Sequence, residues 1–176
     1  MDATATSKPF VNIDEIELQP RPPQFAAKGE AAARFDARMG MIAPRIGARL
    51  LGYNVTAVPP GKRAFPAHNH RANEEMFFIL EGTGELRIGT QAWAVRAGDV
   101  IACPPGGPES AHQIINTSTA DLKIFAVSTM IYPEICDYPD SSKFLVAEGQ
   151  RKADGMVQGF RFVGRATSAV DYWDGE

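Results

Sequence analysis

The sequence predicts an all-β fold, a single antiparallel barrel or jelly roll with an N-terminal extension, and three observations predict it. Short apolar runs recur about every ten residues between turn signals. Neither helical heptads nor an internal duplication interrupts them. At 176 residues, with 44% hydrophobic and 22% charged side chains, the chain can bury one core but is too short for two ordinary domains.

Residues 1–40 form a lead punctuated by Pro9, Pro20, Pro22 and Pro23, in which AAKGEAAARFDARMG offers at most a short helix before Gly40. Such a lead is expected to pack on the barrel or on a partner subunit. Residues 41–135 carry the barrel: RLLGYNVTAV, EMFFIL, ELRI, AWAV, VIAC, HQIIN and LKIFAVSTM read as strands, parted by PPGK, EGTG, GTQ, RAGD, PPGGP and TSTAD. Gly82 and Gly84 in EGTG and Gly98 in AGD are expected at hairpin turns needing positive φ. Residues 136–176 form a C-terminal extension. There YPEICDYPDSSK reads as turn-rich and acidic, while KFLVAEG and GFRFVGRA offer edge strands that would cover an otherwise exposed sheet.

The charge balance, 18 basic against 21 acidic residues for a net charge of −3, gives no electrostatic footprint for nucleic acid or an anionic membrane. No apolar run approaches the ~18 residues of a membrane span, and the first residues lack the pattern of a secretory signal, so a cytoplasmic location is expected. In that compartment Cys103 and Cys136 are expected as free buried thiols. Trp93 is expected in the core or at an interface.

The histidines carry the functional argument. His68, His70 and His112 are the chain's only three. His68-Asn69-His70 alternates as a strand does, so both imidazoles leave one face, and a third must come from another strand. A carboxylate on an adjacent antiparallel strand would lie about 5 Å across, within side-chain reach. Imidazole nitrogens with one carboxylate oxygen suit a borderline divalent ion such as iron, manganese, zinc, nickel or copper better than calcium or magnesium. With every histidine so engaged, Ser-His-Asp and Cys-His catalysis are disfavoured. Lys62, Arg63 and Arg71 flank the histidine strand and could steer an anion there, although solvated loop charges are the simpler reading.

Gly61, His68, His70, Glu75 and Gly82 fall in the order of the first cupin motif, G-x5-H-x-H-x3,4-E-x6-G, with one extra residue after Gly61. Gly98, Pro104, Gly106, His112 and Asn116 follow the second, G-x5-P-x-G-x2-H-x3-N, with five residues instead of two between Gly106 and His112. The chain therefore resembles the cupin superfamily over roughly residues 50–130. The inserted residues should lengthen a turn without removing the ligand.

The resemblance implies a cupin jelly-roll barrel, commonly a homodimer, with one divalent transition metal per chain held by His68, His70, Glu75 and His112. Glu75 is preferred over Glu74 because only Glu75 stands six residues before Gly82, and because alternation then turns Phe77 and Ile79 inward with it. The expected function is that of a metal-dependent enzyme, a dioxygenase or related lyase acting on a small organic molecule. A sugar or sugar-phosphate isomerase is an alternative, for which the sequence shows no second base, and a non-enzymatic small-molecule sensor is another.

Overall fold

Alternation of apolar and polar residues in the runs above builds two antiparallel faces, and the computed structural model describes them over residues 8–151 and 157–176. The first face contains β1 (Gln19–Pro20), β2 (Arg38–Met41), β3 (Leu51–Val58), β10 (Leu122–Thr129), β5 (Glu75–Glu81) and β8 (Val100–Cys103), hydrogen-bonded in that order. Two smaller sheets make the opposing face. One runs β13 (Val157–Gly164), β12 (Lys143–Arg151), β11 (Glu134–Tyr138), β4 (Asn69–His70). The other runs β7 (Gln91–Arg96), β6 (Thr83–Ile88), β9 (His112–Ile115). A bridge between His68 and His112 joins them into one surface.

The interior fills with Val58, Ile79, Leu86, Val95, Ile101, Ile114, Leu122 and Ile124 from both faces. A second cluster lies outside the first face. There Ile16 of the lead and Ile42 just after it cover Val55, Tyr53, Leu80 and Phe125, the alternate residues of β3, β5 and β10. The first face is thus covered on both sides over parts of β3, β10 and β5, and β2 extends it by pairing with β3. Most of the lead is irregular, and its AAKGEAAARFDARMG stretch supplies one short 3-10 turn, Gly29–Ala33.

The seven expected barrel strands are all present. Two features, one at the start of the tail and one in the barrel, differ from expectation. YPEICDY, read as turn-rich from its prolines and acids, forms β11 in the middle of the second face, so the boundary expected after residue 135 falls inside a strand. Trp93 is 46% exposed on β7, which removes the core alternative.

Gly82 (φ +86) and Gly98 (φ +95) occupy left-handed turns as expected, but Gly84 does not. Gly84 is buried within β6, where a Cβ would stand 2.5 Å from the Ile115 carbonyl oxygen, so close strand approach requires it. Asn116 closes the turn after β9. Its amide donates to the Val58 and Ala120 carbonyls, both at 2.7 Å, and its oxygen accepts from the Ser118 amide at 2.9 Å and hydroxyl at 2.8 Å. Asn116→Ala is expected to lower unfolding free energy by about 2–3 kcal/mol, because the carbonyl of buried Val58 loses its donor without gaining water and the Ser118 contacts are lost. Urea titration of the two proteins measures the difference.

Candidate metal centre

The site is built on a cross-strand pair. His68 and His112 exchange both backbone hydrogen bonds (3.1 and 2.8 Å), which puts their side chains on one face, and His70 follows two residues along. Asn69, between the two histidines and fully buried, donates its amide to the Gly106 carbonyl (2.8 Å) and to Asp137 (2.9 Å), locking β4 between its neighbours. The five residues between Gly106 and His112 are taken up by a single 3-10 turn, Pro108–Ser110, so the lengthened turn leaves His112 in register.

All three rings converge. Ring centroids lie 4.7 Å apart for His68 and His112, 5.1 Å for His68 and His70, and 6.3 Å for His70 and His112. Their Nε2 atoms all approach one oxygen, Glu75 Oε2, at 3.0 Å from His112, 3.4 Å from His70 and 3.6 Å from His68. The ligand atoms of His68, His70 and Glu75 lie within 4.8 Å of one another. All four residues singled out by the sequence therefore meet, whereas Glu74 is exposed.

Glu75 arrives by a different route from the one expected. It lies on the opposing face of the barrel, on β5 between β10 and β8, and not on a strand adjacent to β4. Residues 71–74 carry the chain across, and the glutamate reaches over the interior. Two packed sheets stand about 10 Å apart, a gap that a glutamate and a histidine span together.

What orients the imidazoles is equally definite. His68 Nδ1–H donates to the Pro66 carbonyl at 2.9 Å, which leaves the Nε2 lone pair for the centre. His70 Nδ1 faces Glu134 Oε2 at 3.4 Å and Cys136 Sγ at 3.3 Å. Glu134 is itself held by the backbone amides of Arg71 (3.0 Å), Ala72 (3.2 Å), Asn73 (2.9 Å) and Ile135 (2.8 Å), and by the Asn73 side chain.

Glu134, Cys136 and Tyr138 alternate along the inner face of β11, and none of these neighbours was found from the sequence. The available signal was the alternation E-x-C-x-Y, masked by the flanking prolines. Tyr138 continues the Cys136–His70 register so that its ring stacks beside His68, with centroids 6.1 Å apart.

The electrostatics favour a cation. Burial would raise the Glu75 carboxyl, but the three histidines outweigh it and hold it well below the usual range. Burial likewise opposes the outcome at His70, where Cys136, Glu134 and Glu75 push the imidazole up to about 12. For His112 burial dominates and lowers its pKa, favouring the neutral ring that a metal needs. Two carboxylates thus flank one imidazole, and the point at which the rings converge is electronegative.

The donor set fits a divalent transition metal on a further observation: His70 Nε2 is buried and lacks a hydrogen-bond partner among the described residues, although it is aimed at the shared centre. A coordinate bond would satisfy it. Cys103, opposite Glu75 across β5 and β8, is buried in the core, and burial with the nearby Glu75 charge pushes its thiol up to about 12. It therefore packs as a protonated thiol. Both cysteines are free and buried.

Phe77 packs against His112 at a tilt of 56°, with centroids 5.6 Å apart. It joins Thr56, Ala64, Phe65 and Ile124 around a small apolar cavity of about 30 Å³ beside the histidines. Lys62 and Arg71 are used structurally: Lys62 donates to the Ala32 and Ala33 carbonyls of the lead, and Arg71 pairs with Asp137 at 2.9 Å.

Residues 54–128 match the family model described as a cupin domain. An uncharacterized protein of Methanocaldococcus jannaschii is 34% identical over 85 residues, 48% of this chain, and the chain spans 58% of that protein's length. A structure named as a sugar phosphate isomerase of the cupin superfamily, from Silicibacter pomeroyi, superposes with a TM-score of 0.74 at 21% identity, covering 94% of this chain and 98% of that one. A predicted oxalate decarboxylase from Thermotoga maritima gives a TM-score of 0.54 at 23% identity, covering 69% and 99% respectively. At such identities these two structures speak for the fold alone. No helix among the described residues is long and apolar enough to cross a membrane. The paired histidine strands and the glutamate reaching across two antiparallel faces all fall within residues 54–128, the stretch that matches the cupin domain model.

Proposed function

We propose that this protein is a metal-dependent enzyme acting on a small organic molecule, a dioxygenase or related lyase, with one divalent transition metal held by His68, His70, His112 and Glu75. The single observation that carries the reading is the approach of three Nε2 atoms to one carboxylate oxygen within 3.0–3.6 Å, deep in an apolar-walled barrel. When bound, such an ion supplies a Lewis acid and, if redox-active, an electron donor. His68, His70, His112 and Glu75 would hold the ion, which would then polarise the oxygens of a bound substrate.

The chain's own residues do the rest. Glu134 and the Pro66 carbonyl hold two imidazoles in the ligating tautomer, and Phe77 and Ile124 keep water from the inner wall.

A second reading, an isomerase, is favoured by one observation. Tyr138, stacked beside His68, places a phenol next to the centre, where it could hold or pass a proton to a substrate carbon or oxygen. Burial raises its pKa, so the phenol stays protonated at neutral pH. The isomerase name of the Silicibacter pomeroyi structure lends this reading weight as an analogy of fold.

Elemental analysis of tag-free protein is expected to find about one transition-metal ion per chain. Iron would favour the oxygenase arm and zinc the isomerase arm. Protein that remains metal-free after incubation with iron, manganese, zinc and nickel would end both readings.

A further inference from the structure

We infer that the groove between the N-terminal lead and the barrel binds the anionic head of a small organic molecule, a carboxylate or phosphate on a compact apolar body. This deepens the reading above by naming the substrate class, and it rests on that reading only for the claim that groove and centre serve one substrate.

The groove has a volume of about 630 Å³, within the range of small-molecule sites. Phe25 and Phe35 of the lead and Pro66 and Ala67 of the barrel give it apolar walls, and Arg21, Arg34 and Lys143 enter it as cations. Two acids line it as well, and of these Asp140 is held in an ion pair. Asp140 is held in a bidentate pair by Arg87 at 2.6 and 2.8 Å, and its carboxyl is lowered first by Arg87, with Arg63 and Arg34 adding to the effect. Asp36 acts on Arg21, whose guanidinium also donates to the Ala64 carbonyl.

Arg34 and Lys143 are left over. Arg34 lies over the Phe35 ring at 5.6 Å and Lys143 over the Tyr138 ring at 5.6 Å, and neither forms an ion pair among the described residues. Two cations without an ion pair of their own, in a concave groove of mixed apolar and polar lining, are complementary to an anion with an apolar body.

The position of Lys143 links this groove to the metal centre. Lys143 pairs with Tyr138 across β11 and β12, and Tyr138 stands beside His68 one strand further on. Adjacent strands lie about 4.8 Å apart, so the row from His68 to Lys143 spans about 10 Å, the length of a molecule of a few carbons. A substrate with its oxygens at the centre and its charge at Lys143 would lie along that row.

Isothermal titration of the full-length protein, metal-stripped and zinc-reloaded, tests this with phenyl phosphate and benzoate as anions and benzyl alcohol as the neutral control. At least one anion is expected to bind both forms while the alcohol does not, and preference between the two anions reports the head group. Arg34→Ala and Lys143→Ala are each expected to weaken binding about tenfold. Circular dichroism checks that these variants fold.

Absence of anion binding, equal binding of the alcohol, or unchanged affinity in both variants overturns the inference. Binding that needs zinc and ignores Arg34 and Lys143 places the anion on the metal, which removes the groove and keeps the centre. Binding that depends on Arg34 and Lys143 in a protein that takes up no metal keeps the groove and removes the centre.

Discussion

Replacing His68 or His112 with alanine will abolish stoichiometric metal while the barrel stays folded. Each imidazole supplies one of only three nitrogens facing Glu75 Oε2, so its loss removes a coordinate bond and leaves an incomplete donor set. Changes to groups that merely orient ligands cost about 10–100-fold in affinity, and loss of a ligand should exceed that. The fold survives because the interior cluster of Val58, Ile79, Leu86, Leu122 and Ile124 contains none of the four residues. A destabilisation of about 1–3 kcal/mol is expected for His112→Ala, whose ring is buried. Metal content by plasma mass spectrometry and unfolding by urea separate the two effects. Full occupancy in His112→Ala would show that the lengthened turn carries a bystander, and loss of metal in Glu74→Ala would mean the wrong glutamate was chosen.

The largest stability effect is expected at Glu134. Its carboxylate accepts from four backbone amides and the Asn73 side chain, organising residues 71–73 as they turn out of β4. Glu134→Ala takes the acceptor from the buried Asn73 amide and from the Ala72 amide, while the Arg71 amide keeps the Ile135 carbonyl at 2.9 Å, and should cost about 3–5 kcal/mol. Glu134→Gln keeps the shape but sets an amide against amides, and should cost about half as much while lowering metal affinity about 10–100-fold through His70.

The pH dependence carries its own signature. Burial raises this carboxyl, but His70, Asn73 and Ala72 outweigh it and bring it to about 2, against 4.5 for a free glutamate. A carboxyl depressed on folding contributes stability above its unfolded value and loses it as pH falls toward the folded one. Metal-free protein should therefore lose stability between about pH 4.5 and pH 2, and Glu134→Gln should lose less over that window. Parallel acid-unfolding curves for the two proteins would contradict the assignment.

Much of this was legible in the chain. Strands β3 to β10 announce themselves by short β-branched and aromatic runs between Gly and Pro signals. The period of two puts His68 and His70 on one face, and the likeness to the cupin motifs adds Glu75 and His112 as candidate ligands. Glu75 over Glu74 follows from the same parity.

The lead and tail were harder, because their contributions depend on distant partners. Arg38–Met41 is a strand only because β3 offers it an edge, and Glu134–Tyr138 only because β4 and β12 lie on either side. Prolines at both ends of β11 outweighed its alternation. Gly84 illustrates the same limit: its strand position is local, whereas the Ile115 carbonyl that forbids a side chain there comes from 31 residues away.

By itself the sequence determined which side chains would leave the same face of a strand and where the chain would turn, because both are properties of neighbours along the backbone. Which faces oppose each other, that Glu75 reaches His112 across the interior, and that Glu134 and Tyr138 stand behind and beside the histidines were decided only by tertiary structure. Those contacts join residues dozens of positions apart, and burial, not local propensity, selects among the ways of closing them.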